Sequence, residues 1–200
     1  MRRLLPLLLL LSLLPLSLLS CGRAAAEEVL PAARALIEQS VAINDMMIGE
    51  GVPRDGEAFD GYDYVAEAWM RETGIDTVAN LRAAVLRVYT PEVADILFRK
   101  ALTNGHEVLA DYRDRPAPGR GLLILGEREG WYEDVVLEYL FDTMKMTSSE
   151  RNAATVTLDV LVAHEGEEAQ RRTLTLPLVR LADGWRCDKL TYLAPLLLVD

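Results

Sequence analysis

The segment Thr155-Val156-Thr157-Leu158-Asp159-Val160-Leu161-Val162 has an apolar residue at every second position from Val156, and it decides the fold. Successive side chains of an extended chain point to opposite faces, so Val156, Leu158, Val160 and Val162 share one side of a half-buried strand. Downstream, His164-Glu165-Gly166-Glu167-Glu168 reads as a hairpin tip and Thr173–Leu181 as the returning strand. The apolar set of that return moves from Leu174 and Leu176 to Val179 and Leu181, which predicts a bulge near Pro177. Asp183-Gly184 is a tight-turn signal leading into Trp185–Tyr192. Upstream, Leu122–Leu125 and Val135–Phe141 predict two further strands.

Before Gly121 the period is that of helices. Ala33, Leu36, Ile37, Val41, Met47 and Ile48 recur at spacings near three and four, predicting a helix from Val29 to Glu50 with Pro31 in its first turn. Gly49, Gly51 and Pro53 stop it, and residues 54–64 read as an irregular acidic connection. A second helix fits Thr77 to Val88, where Val78, Leu81, Val85 and Val88 share a face. A third starts with Thr90 as N-cap, Pro91 at the first helical position and Glu92 near the positive dipole end, and stops before Gly105. Helices first and hairpins afterwards predict an α+β fold, N-terminal helices followed by a curved antiparallel sheet, and exclude a doubly wound one.

The first 20 residues are of another kind. Arg2 and Arg3 precede Leu4–Leu19, in which 12 of 16 residues are Leu, broken by Pro6, Ser12, Pro15 and Ser17. A basic start and a short apolar run have the form of a secretory signal peptide, and a bilayer span takes roughly 20 residues. The run ends in Leu18-Leu19-Ser20-Cys21-Gly22. This resembles the bacterial lipobox, which implies that the thiol of Cys21 is acylated and becomes the mature N-terminus on the extracytoplasmic side of the cell membrane. Leu19 departs from the pattern, where Ala or Ser is commoner. Two other readings stand beside it: conventional cleavage after Ala24 or Ala26, and a disulfide between Cys21 and Cys187. The expected organisation is therefore a signal peptide over 1–20, a lipidated linker over 21–27 and one α+β domain over 28–200.

Among 200 residues, 21 are basic and 31 acidic, giving a formal charge of -10. Without Arg2 and Arg3 the mature chain holds 19 basic and 31 acidic side chains, 19 - 31 = -12. Nucleic acid is excluded as a partner because phosphate binding needs a clustered basic face. Such a domain attracts cationic partners and is repelled by anionic polymers.

The helices, the long strands and the final Leu181-Ala182-Asp183-Gly184-Trp185-Arg186 hairpin over roughly residues 77–192 resemble the NTF2-like (cystatin-like) superfamily. That resemblance implies a sheet curled around a helix as a cone. Tyr89-Thr90-Pro91-Glu92-Val93 and Gly121-Leu122-Leu123-Ile124-Leu125-Gly126 are similar to segments of IseA-type inhibitors of cell-wall DL-endopeptidases. Ile48-Gly49-Glu50-Gly51-Val52-Pro53 resembles a segment of uncharacterised lipoproteins of Gram-positive bacteria.

Motifs for chemistry are few. His106 and His164 have no paired ligand spacing; the first reads as a helix-end residue and the second as a solvated hairpin tip. No Gly-x-Ser-x-Gly elbow occurs, Gly119-Arg120-Gly121 lacks the Lys-Ser/Thr of a phosphate loop, and the acids from Asp55 to Asp63 fail the calcium-loop spacing. Asp111/Asp114 and Glu133/Asp134 are carboxylate pairs by type alone. Cys187 alternates with Trp185 and reads as a buried, inert thiol. No catalytic residue, metal ligand or cofactor is assigned.

Binding has more support than catalysis. The connection Asp111-Tyr112-Arg113-Asp114-Arg115-Pro116-Ala117-Pro118-Gly119-Arg120 is rich in groups favoured at recognition surfaces, and Trp131-Tyr132 follows the next glycine turn. The partner-binding candidates are Asp111, Tyr112, Asp114, Arg120, Trp131, Tyr132 and Glu133; the other reading packs Trp131 and Tyr132 on the sheet. The expected function is that of a lipid-anchored binding protein, with a cationic cell-wall hydrolase as the partner it would inhibit. The alternative is an NTF2-like small-molecule-binding or enzymatic domain with a pocket inside the sheet.

Overall fold

The structure is a computed structural model that describes residues 23–47, 53–59, 62–102, 109–111, 122–125, 135–164 and 168–192. Its centre is an antiparallel meander of β5 (Val135–Ser149), β6 (Ala153–His164), β7 (Gln170–Leu181) and β8 (Gly184–Cys187), in that spatial order. Among the described residues four helices precede it: α1 (Ala26–Met47), α2 (Glu67–Thr73), α3 (Val78–Val88) and α4 (Pro91–Leu102). The fold is α+β, with helices N-terminal to a curved antiparallel sheet. A smaller sheet, ordered β1-β2-β4-β3, is built from β1 (Arg54–Phe59), β2 (Tyr62–Val65), β3 (Leu109–Asp111) and β4 (Leu122–Leu125).

The alternating segment behaves as its pattern demands. Val156, Leu158, Val160 and Val162 are buried, and Leu174, Leu176 and Leu178 of β7 meet them across the same face. Burial of each such side chain contributes about 1.5–3 kcal/mol against the entropy of ordering it. Against this face lie Val29, Ala33, Leu36, Ile37 and Ile43 of α1 and Leu81, Val85 and Val88 of α3, in one apolar cluster.

The bulge near Pro177 is not found. The register of β6 on β7 runs without interruption from Ala153↔Val179 to Val162↔Gln170, with Pro177 opposite Thr155. Leu178 takes the inward position, so the period of two never breaks, and Leu181 is exposed. The irregularity lies instead in β5. Between the pairs Leu140↔Asp159 and Lys145↔Thr157, β5 advances five residues while β6 advances two. Thr143 fills the gap: its hydroxyl donates to the Leu140 carbonyl at 2.7 Å and accepts the Asp159 N–H at 2.8 Å. The extra residues bend the strand and let Leu137, Tyr139 and Phe141, then Met144 and Met146, all pack against the core.

Other boundaries move as well. Helix α1 starts at Ala26, so Ala26 and Glu27 are helical rather than linker, and Pro31 lies in the second turn. Val41 is 41% exposed; the buried stripe passes instead through Ser40, Ile43 and Asn44. Residues 54–64 contain a hairpin, not an irregular connection, because β2 pairs with β4 through Tyr62↔Leu125 and Tyr64↔Leu123. Thr77 caps α3 by accepting the Asn80 N–H. The Thr90 hydroxyl turns away from its helix and donates to Asp188 at 2.8 Å, while the Thr90 carbonyl accepts the Ala94 N–H. Gly184 holds the last turn at φ +134°, a conformation L side chains rarely adopt.

Candidate functional site

The candidate recognition residues divide. Asp111 ends strand β3 opposite Leu122, so it belongs to a sheet rather than to the connecting loop. Tyr112, Asp114, Arg120, Trp131, Tyr132 and Glu133 lie outside the described residues, as does Cys21, whereas the alternative cleavage positions lie inside them, Ala24 buried and Ala26 at the start of α1. His106 also lies outside them, and His164 closes β6. Cys187 is fully buried in β8, and burial pushes its thiol up to about 12.

The polar centre of the described fold is elsewhere, where α1, the α3–α4 junction and the chain after β8 converge. Tyr89 forms a parallel bridge to Cys187 beside β8, and the Thr90 N–H donates to the Cys187 carbonyl. This places the Tyr89 hydroxyl among Ser40, Asn44 and Thr191, all with 1% exposure or less. Tyr89 donates to Asn44 Oδ1 at 2.9 Å, Asn44 Nδ2 donates to Thr191 Oγ1 at 2.8 Å, and Ser40 donates to the Ile37 carbonyl at 2.7 Å. Thr191 Oγ1 also lies 2.6 Å from Ser40 Oγ and 2.8 Å from Tyr89 Oη. With Ser40 and Tyr89 already donating, both contacts depend on the single Thr191 hydroxyl hydrogen, which can serve one at a time. Tyr139 adds a hydrogen bond to the Thr191 carbonyl.

This cluster holds its groups neutral. Burial pushes the Tyr89 phenol up to about 12, against the lowering effect of the Thr191 hydroxyl. A phenol kept that far above neutrality is a poor general base, and each hydrogen-bonding atom faces another of the cluster. Among the described residues, the buried side-chain oxygen without a partner is Thr157 Oγ1, on the opposite face of β6 from Val156 and Leu158. Among the described residues the enclosed face therefore has no unsatisfied side-chain donor or acceptor to turn toward a ligand.

No known protein family, curated protein or solved structure matches the chain. Function must accordingly be argued from the residues themselves.

A second buried group fastens β8. The Arg186 guanidinium donates to the carbonyls of Leu86 and Trp185, both at 2.8 Å, and pairs with Asp183 at 2.6 Å. Trp185 donates through Nε1 to Glu28, which also pairs with Arg180, so the start of α1 is tied to β7 and β8. Outside the core, Asp159 is held below the usual carboxylate value by hydrogen bonds from Thr173 and Arg171. At the turn between β5 and β6, the Ala24 N–H donates to the Glu150 carbonyl and Ser149 Oγ donates to the Ala24 carbonyl. Beside that clip lies an open cleft of about 750 Å³, lined by Arg23, Met146, Thr147, Ser148 and Glu150 among others.

Sequence reasoning missed the Ser40–Asn44–Tyr89–Thr191 cluster. A signal existed: Ser40 and Asn44 continue the apolar stripe of α1 three and seven residues after Ile37, and polar groups in such a stripe need partners.

Proposed function

We propose that the chain is a lipid-anchored, extracytoplasmic binding protein that works through contacts with a cationic partner, a cell-wall hydrolase in the sharpest form of the reading. The observation that carries it is the filled inner face of the sheet, where α1 and α3 pack and the polar groups of the interior satisfy one another. A domain that uses its enclosed face for packing has its outer edges and loops left for recognition. The acidic balance supports a basic partner over an anionic polymer. The NTF2-like resemblance is supported by α1 lying across a four-stranded meander.

The test is recovery of partners from wall extracts by the intact chain and by a variant with Asp111→Lys, Asp114→Lys and Glu133→Lys. Selective loss of a basic protein from the variant eluate is expected. Equal recovery by both proteins would remove the acidic-loop reading.

A further inference from the structure

We infer that the end of the sheet carrying the β5–β6 turn is a docking surface for the bilayer itself, holding the domain with its β6–β7 end outward. The inference rests on the lipid anchor at Cys21 proposed above. Only Gly22 and Arg23 separate Cys21 from Ala24, and Ala24 is fixed to the turn by the hydrogen bonds to Glu150 and from Ser149. Three residue steps span at most about 10 Å even when fully extended. That reach brings Glu150, Arg151 and Asn152, all exposed, to the level of the lipid headgroups.

Charge favours the same orientation. Arg23 and Arg151 stand exposed at the anchored end beside the single acid of that turn, Glu150, and basic side chains are drawn to an anionic surface. At the far end Glu168 is exposed just before β7, and an anionic bilayer repels it. Strand β6 has 12 residues, so the two ends lie about 40 Å apart, several screening lengths at physiological salt. The cleft beside Arg23 lies at the anchored end, lined by Thr147, Ser148 and the Glu150 turn, and offers polar surface to a headgroup.

The experiment uses the full-length acylated protein in phosphatidylglycerol–phosphatidylethanolamine vesicles. Acylation of Cys21 and burial of Cys187 leave a single introduced cysteine as the reactive thiol. Arg151→Cys and Glu168→Cys are each labelled with an environment-sensitive fluorophore, and quenching by headgroup spin-labelled lipid is compared. Quenching at 151 at least threefold above that at 168 is expected. Equal quenching, with mass spectrometry showing diacylglycerol on Cys21, would overturn the orientation and leave the anchor standing. An unmodified Cys21 would overturn both.

Discussion

Thr191 Oγ1 lies 2.6 Å from Ser40 Oγ, joining two positions 151 residues apart. The contact belongs to a closed polar cluster inside an apolar core, and its value lies in what its loss would strand. Thr191→Val keeps the shape but leaves Ser40, Asn44 and Tyr89 facing a methyl group. The expected cost is about 1–3 kcal/mol in urea unfolding, with an unchanged slope, while Thr191→Ser recovers most of it. A Val variant as stable as the parent would mean that the cluster does not pin α1 to the end of the sheet.

Alkali attacks the same region. Tyr89 and Cys187 have ordinary values of 10.0 and 9.0, and burial raises both to about 12. Between those limits the folded chain keeps protons that the unfolded chain gives up, so stability is complete below pH 9 and falls as pH rises toward 12. The loss reaches about 1.4 kcal/mol per pH unit for each titrating group. Urea midpoints from pH 8 to 11 should fall less steeply for a Tyr89→Phe, Cys187→Ala double variant than for the parent. Parallel curves would contradict the assignment.

Much of the fold was legible because it rests on local signals. The alternation around Leu158, the Thr77 cap and the Asp183-Gly184 turn each name their own structure, and each is found. The β1–β2 hairpin was not legible, because its acidic, glycine-bearing segment is stabilised as strand by pairing with residues 122–125. The β5 irregularity was written in the phase change from Leu137, Tyr139 and Phe141 to Met144 and Met146, whereas the expected bulge at Pro177 came from overlooking Leu178. Of the candidate site, Ser40 and Asn44 share a helical face four residues apart, but no spacing rule connects them to Tyr89 or Thr191, so the cluster as a whole was hidden.

Arg186 and Asp183 form a pair with unequal burial, 8% and 72% side-chain exposure. Removing the buried partner is the costlier change. Arg186→Ala leaves the Leu86 and Trp185 carbonyls without donors, and about 2–4 kcal/mol of stability should be lost. Asp183→Asn removes a solvent-screened charge and should cost under about 1 kcal/mol. Thermal and urea unfolding of the two variants would check the order; the reverse order would refute it.

Thr143 is the hinge pin of the bent strand. Thr143→Val deletes the acceptor for the Asp159 N–H and the donor to Leu140. A loss of about 1–3 kcal/mol is expected, with faster amide exchange at Asp159 than at Val156. Unchanged exchange at Asp159 would show that the ladder closes without the hydroxyl.

Helix α1 precedes the other described elements and is completed last. Its Glu28 waits for Trp185, 157 positions later, and its Asn44 waits for Thr191, 147 positions later. A chain that emerges N-terminus first therefore carries the apolar stripe of Val29, Ala33, Leu36 and Ile37 with only α3 to cover part of it until the sheet has followed. A product that stops short of residue 185 would lack the contacts of β8 and Thr191 with α1 and present part of the stripe to chaperones and proteases.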